Sequence, residues 1–190
     1  DLLPEAPGWS IRRWDRVRHE TTTVVRCATA CPIRALSPSP DGRFLALVEG
    51  GPDIRARVTV VDASSGQEVD RFEDDRLLFA NWDAAGRLIL THVKDDPDAG
   101  RYERIDLDTS VREVVGRDLP SGIPTSSPDG RVMALNVPND PGFDLYLVDQ
   151  DFATASRFAR SITNGGAAVR AWSRDHDRVA AAVNDQWAVL

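Results

Sequence analysis

The chain has 190 residues, 42% of them hydrophobic, enough for one domain with a real core. Its net charge is −7 and its pI about 5.0, and the arginines are interleaved with Asp and Glu, so no basic stripe offers itself to nucleic acid. No apolar run approaches the roughly 20 residues of a membrane-crossing helix, and no membrane span is expected.

The first predicted strand is SIRRWD, closing at Asp15 and followed by a polar hairpin that holds His19. Cys27 and Cys31, the only cysteines, come next in CATAC. They stand either as a short-loop disulfide, which would point to an oxidising compartment, or as two free thiols. IRALS then leads into Ser-Pro-Asp-Gly at 39–42. In that turn Pro presets φ, Asp suits the third place and Gly supplies the positive φ that lets the chain re-enter a hairpin. RFLALV is apolar on both alternating faces, as a strand covered on both sides must be. VTVVD closes at Asp62, and QEVDRFE alternates apolar with charged residues, which suits an outer, partly wet strand.

The series then repeats. LLFANW, the turn DAAG, RLILTHV, YERID closing at Asp106 and VREVV form a second copy. IPTSS, Ser-Pro-Asp-Gly at 127–130, RVMALNV and LYLVD closing at Asp149 form a third, and AVRAW, SRDHD, RVAAAV and WAVL begin another. Gly42, Gly86 and Gly130 are 44 apart, and the closing aspartates are 44 and 43 apart. DAAG lacks the Pro and Asp of the motif and SRDHD its Pro and Gly, and both are expected to turn with weaker chemistry. Trp82 and Trp172 share the place just before the turn and are read as packing between units. Trp14, next to Asp15, is read as a core residue of its strand.

A four-stranded sheet covered on both faces and repeated every 44 residues is a propeller blade. The expected fold is all-β: a β-propeller of about four blades, with almost no helix. Residues 1–190 form a single propeller domain or fragment, with a partial blade at 9–32, blades at about 33–73, 77–115 and 123–160, and a partial blade at 167–190.

The Ser-Pro-Asp-Gly-Arg turn, its buried strand and the Tyr-Leu-Val-Asp strand resemble the WD40-like (PD40) repeats of TolB-type β-propellers. They also resemble the propeller domains of prolyl-oligopeptidase-type (S9) peptidases. The resemblance covers the chain from about Trp9 to Leu190, whereas the GH and terminal WD signatures of true WD40 repeats are absent. The partial blades at the two ends could combine into one shared blade. The ending at QWAVL favours a piece of a larger propeller, whose open edge strands would invite self-association.

No Gly-x-Ser-x-Gly elbow, His-Glu-x-x-His or phosphate loop occurs. His19, His92 and His176 are scattered and read as structural or solvated. KDDPDAG and PNDPGFD lack the spacing of a calcium loop, so neither a metal nor a cofactor is expected. The connections between second and third strands fall on one face by repeat symmetry. They carry Asp53, Arg55, Arg57, Asp95, Asp96, Asp98, Arg101, Asp140 and Asp144. Variable loops on a rigid scaffold commonly bind partners, and these nine residues are the candidate partner-binding set. Ordinary solvated turns are the other reading. The expected function is a non-enzymatic scaffold for a protein or peptide. The alternative is part of the gating propeller of an S9-type serine peptidase whose catalytic domain lies outside this chain. Resemblance to envelope propellers implies an extracytoplasmic location ahead of a cytoplasmic one.

Overall fold

The computed structural model describes residues 9–27, 33–51, 54–74, 77–92, 100–139, 142–159, 167–173, 179–183 and 186–189, and every regular element among them is a β-strand. β1 (Trp9–Asp15) and β2 (Glu20–Cys27) form a hairpin. Blade I holds β3 (Ile33–Pro38), β4 (Phe44–Gly51), β5 (Ile54–Asp62) and β6 (Glu68–Asp74). Blade II holds β7 (Leu77–Trp82), β8 (Leu88–His92), β9 (Gly100–Asp106) and β10 (Val111–Leu119). Blade III holds β11 (Ile123–Ser126), β12 (Val132–Asn139), β13 (Gly142–Asp149) and β14 (Ala155–Ala159). β15 (Ala167–Trp172), β16 (Val179–Val183) and β17 (Gln186–Val189) make a three-stranded sheet. Each strand pairs antiparallel with the next in its sheet, and the whole is a β-propeller with a repeat of about 44 residues. Among the described residues the hairpin β1–β2 and the sheet β15–β17 are separate sheets.

Two turns per blade explain the sequence landmarks. Between first and second strands, the Ser39 amide donates to the Phe44 carbonyl at 2.9 Å and the Ser127 amide to the Val132 carbonyl at 2.8 Å. Each serine hydroxyl accepts the strand's first amide and donates to the turn aspartate, Asp41 or Asp129, at 2.6 and 2.7 Å. Gly42 and Gly130 both sit at φ +73°, where a side chain would be strained. Between third and fourth strands, the closing aspartate caps the turn. Asp15 Oδ1 accepts the Val17 and Arg18 amides at 2.8 and 2.9 Å, Asp62 Oδ1 those of Ser64 and Ser65 at 2.9 and 2.8 Å, and Asp106 Oδ1 that of Thr109 at 2.9 Å. These donated hydrogen bonds favour the ionised carboxylate and hold Asp15, Asp62 and Asp106 below the usual carboxylate range.

The DAAG turn of blade II departs from the expectation of weak chemistry. Its Asp83 amide donates to the Arg87 carbonyl at 2.9 Å, closing one residue sooner than in blades I and III. Asp83 does alone what Ser and Asp share elsewhere: Oδ1 accepts the Ala85 and Arg87 amides at 3.0 and 2.9 Å, and Oδ2 accepts Arg87 Nε at 2.7 Å. The shorter turn slips β8 by one residue. Leu88 pairs with Ile105 where Leu45 pairs with Val61 and Met133 with Val148. A one-residue slip exchanges the two faces of a strand. Leu88 and Leu90 therefore pack towards blade I, and Ile89 towards blade III.

The core lies between the sheets. Phe44, Ala46, Val48, Val58, Val60 and Phe72 of blade I meet Ala80, Trp82, Leu88, Leu90 and Ile105 of blade II. The Phe44 and Trp82 rings stack at 6.1 Å and 12°. Trp82 also ties inner strands together, donating from Nε1 to the Ser37 carbonyl at 2.8 Å and accepting Ser126 Oγ on its carbonyl at 3.1 Å. Ser37 Oγ donates to Asn81 Oδ1 at 2.8 Å, and Asn81 Nδ2 donates to the Pro124 carbonyl, so neighbouring inner strands are linked blade to blade. Trp14 does not fill a core position. Its counterparts Val61, Ile105 and Val148 are buried against the preceding sheet, and among the described residues no sheet precedes β1. Trp14 is 57% exposed, its ring 6.0 Å from that of His19.

Candidate functional site

The antiparallel meander brings the ends of β4, β8, β12 and β16 and the starts of β5, β9, β13 and β17 to one face of the propeller. Arg57, Arg101 and Asp144 each stand five residues before the closing aspartate of their blade, at the end of the third strand that adjoins this face. They are strand residues and not loop tips, contrary to the reading of the whole set as loop charges, and each is held by a neighbour. Arg57 lies across from Glu49 on β4 and Glu73 on β6; its Nε is 2.9 Å from Glu73 and its Nη1 3.8 Å from Glu49. Arg101 Nη2 pairs with Glu103 of its own strand. The buried Asp144 lies 3.7 Å from Arg157 Nη1.

Of the other candidates, Asp53, Asp95, Asp96, Asp98 and Asp140 lie outside the described residues. Arg55 falls on β5 and Cys27 at the end of β2, but their side chains, like Cys31 and His176 altogether, are also outside them.

The sequence reading missed an ionic chain on the same face. His92 ends β8 with Nδ1 3.0 Å from Asp74 Oδ2, a residue of blade I, and Nε2 3.4 Å from Glu103 Oε2 of its own blade. Asp74, His92, Glu103 and Arg101 thus form a continuous line of polar side chains across the blade boundary. The available signal was the coincidence of His92 at a strand end with the carboxylate ending QEVDRFED one blade earlier, which only blade-to-blade register brings together. Among the described residues no group of three or more His, Cys, Asp and Glu is arranged to hold a metal ion. What this face offers is fixed charge of both signs and hydrogen-bonding groups.

No protein-family model matches the chain, and no curated protein does. Solved structures do. An oligogalacturonate lyase in complex with manganese superposes with a TM-score of 0.71 at 16% identity, over 95% of this chain and 52% of that one. TolB from Acinetobacter baumannii gives 0.62 at 16%, over 93% and 46%. The β-propeller domain of the Trilobed protease from Pyrococcus furiosus, described as having an open velcro topology, gives 0.55 at 12%, over 80% and 48%. The chain is therefore a TolB-like β-propeller in fold, and it spans about half the length of these structures.

Proposed function

We propose that this propeller is a non-enzymatic binding scaffold, TolB-like in role as well as fold, and that the face bearing Arg57, Arg101 and Asp144 docks a protein or peptide. The observation that carries this reading is the repetition of a charged side chain at one place in three successive blades, each held in position by an ion pair. Charges that are already ordered lose less freedom on binding, and a fixed row of mixed sign sets register and partner choice more than raw affinity. Mixed sign suits a charged peptide and not a polyanion such as nucleic acid. The connections carrying Asp53, Asp95, Asp96, Asp98 and Asp140 complete the face in this reading. An extracytoplasmic location belongs with it, as does a Cys27–Cys31 disulfide, which alkylation with and without reductant reads directly.

The test is site-specific photo-crosslinking in the source cell, with the crosslinker at Arg57, at Arg101 and at the exposed Arg18 on the opposite face. Arg57 and Arg101 are expected to capture the same polypeptide and Arg18 none. Capture at Arg18 alone would sink the proposal. Likeness to the Trilobed protease propeller favours a second reading, a gating propeller of a serine peptidase. A parent reading frame that continues into a Gly-x-Ser-x-Gly segment would favour that reading over the scaffold.

A further inference from the structure

We infer that the crevice between the blade II and blade III turns, on the face opposite the Arg57 row, binds a compact carboxylate-bearing ligand. At the corresponding place between blades I and II a guanidinium spans the boundary. There Arg43, in the turn of blade I, reaches across to Asp108 of blade II with two hydrogen bonds of 3.1 and 3.0 Å. Arg87 follows its turn glycine as Arg43 does, but the one-residue slip puts it at the register place of Phe44 and its Nε turns back to Asp83 at 2.7 Å. The boundary that a guanidinium would have bridged is left as a cavity of about 280 Å³, just below the range of about 300 to 1,000 Å³ typical of ligand pockets.

Its wall is unusual for this repeat. Arg104 occupies the register position filled by Val60 in blade I and Leu147 in blade III. The Arg104 side chain is only 9% exposed and lines the cavity. Nη1 is 3.1 Å from Glu113, Nη2 donates to the Gln150 carbonyl, and the buried Nε, 3.4 Å from Asp83 Oδ2, has no hydrogen-bond acceptor. Asp83, itself buried, is therefore shared by two guanidiniums, Arg87 and Arg104. The charges around the cavity balance: Glu113, half exposed, touches Arg104 from the outer strand β10, and Asp129 on the opposite lip is engaged by Ser127 and by Arg131 at 3.7 Å. The carboxylates are thus already engaged, Asp83 by two amides and both guanidiniums, whereas Arg87 spends only its Nε on Asp83. A guanidinium at the mouth of a partly desolvated cleft attracts a carboxylate more strongly than one on an open surface. Arg87 is 38% exposed, so its guanidinium is accessible to a carboxylate, while Met133, Ala84 and Pro128 give the ligand an apolar bed.

The test is NMR titration of the whole chain, following the backbone amides of Ala84, Ala85 and Gly130, with N-acetyl-alanine and, separately, its carboxamide. The acid is expected to give saturable shifts and the amide none. Arg87→Gln should weaken acid binding about tenfold or more, as loss of a charge-assisted contact implies, while Arg43→Gln leaves it unchanged. Absence of saturation, equal response to the amide, or undiminished binding in R87Q would overturn the inference. The acid and amide comparison uses the unaltered protein and does not depend on any variant folding. A longer peptide ending in a free carboxylate separates the sources: tighter binding than N-acetyl-alanine assigns the site to a polypeptide terminus, and equal binding to a free small acid. Failure here leaves the Arg57-face crosslinks untouched, since the two surfaces share no residue.

Discussion

The boundary between blades I and II and the boundary between blades II and III are built from the same repeat yet solve burial in opposite ways. The first is dry in its interior: Val60 faces Leu88, Leu90 and Ile105 across an apolar layer, and the contacts of Arg43 with Asp108, Arg112 with Asp70 and His92 with Asp74 lie around that layer. The second has an apolar layer of its own, with Ile89, Tyr102, Met133, Leu135 and Phe152, but places Asp83 and Arg104 beside it as a buried ion pair next to a cavity. One turn accounts for the contrast. Replacing Ser by Asp at the head of the blade II turn shortens it, and the same carboxylate then supplies, beside Glu113, the second negative charge next to the buried Arg104.

Moving the charge across tests the comparison most severely. Val60→Arg puts a guanidinium where the surroundings are apolar, and it should cost more than about 4 kcal/mol, the range reserved for unpaired buried charge and core disruption. Urea unfolding reads the loss; a change under about 1 kcal/mol would mean that the first boundary is not dry. Asp83→Ala should cost about 3 kcal/mol, because it takes one of two carboxylates from the buried Arg104 and uncaps the turn together. Asp83→Ser combined with Arg104→Leu removes both partners of the pair and should recover to within about 1 kcal/mol of the parent, since replacing both partners of a buried pair is often neutral. A double variant as unstable as Asp83→Ala would show that the pair contributes more than mutual compensation.

Much of this architecture was legible in the sequence because its punctuation obeys hard local rules. A Gly at φ +73°, a Pro that presets φ and an Asp that caps a turn can be recognised one by one, and their spacing then counts the blades. The slip of β8 was not legible, since it depends on whether a hydroxyl or a carboxylate closes the turn, and alignment on Gly86 equated Ile89 with Leu45 when Leu88 is the true counterpart. Arg104 was hidden for a related reason: in YERID it reads as the polar phase of an alternating strand, and its burial follows only from the next blade and from Asp83. The candidate face was legible as a register, not as a set of contacts. Arg57, Arg101 and Asp144 share one place in the repeat, but their pairing with Glu73, Glu103 and Arg157 arises from neighbours that strand register alone selects.

The smallest expected effects separate the exposed turn carboxylates, shared by several units, from the buried Asp83 of one boundary. Asp15, Asp62 and Asp106 are held below their ordinary values mainly by backbone amides and, at Asp62 first of all, by the hydroxyl of Ser64. A carboxylate whose folded value is depressed contributes its full stability above the unfolded value of about 3.9, and loses it as pH falls through the lower folded value. The urea midpoint should accordingly be flat between about pH 6 and pH 5 and decline below about pH 4. Asp62→Asn should shallow that decline without abolishing it, because Asp15 and Asp106 still titrate. An unchanged acid slope in D62N would show that the Asp62 cap is protonated as readily in the folded chain as in the unfolded one.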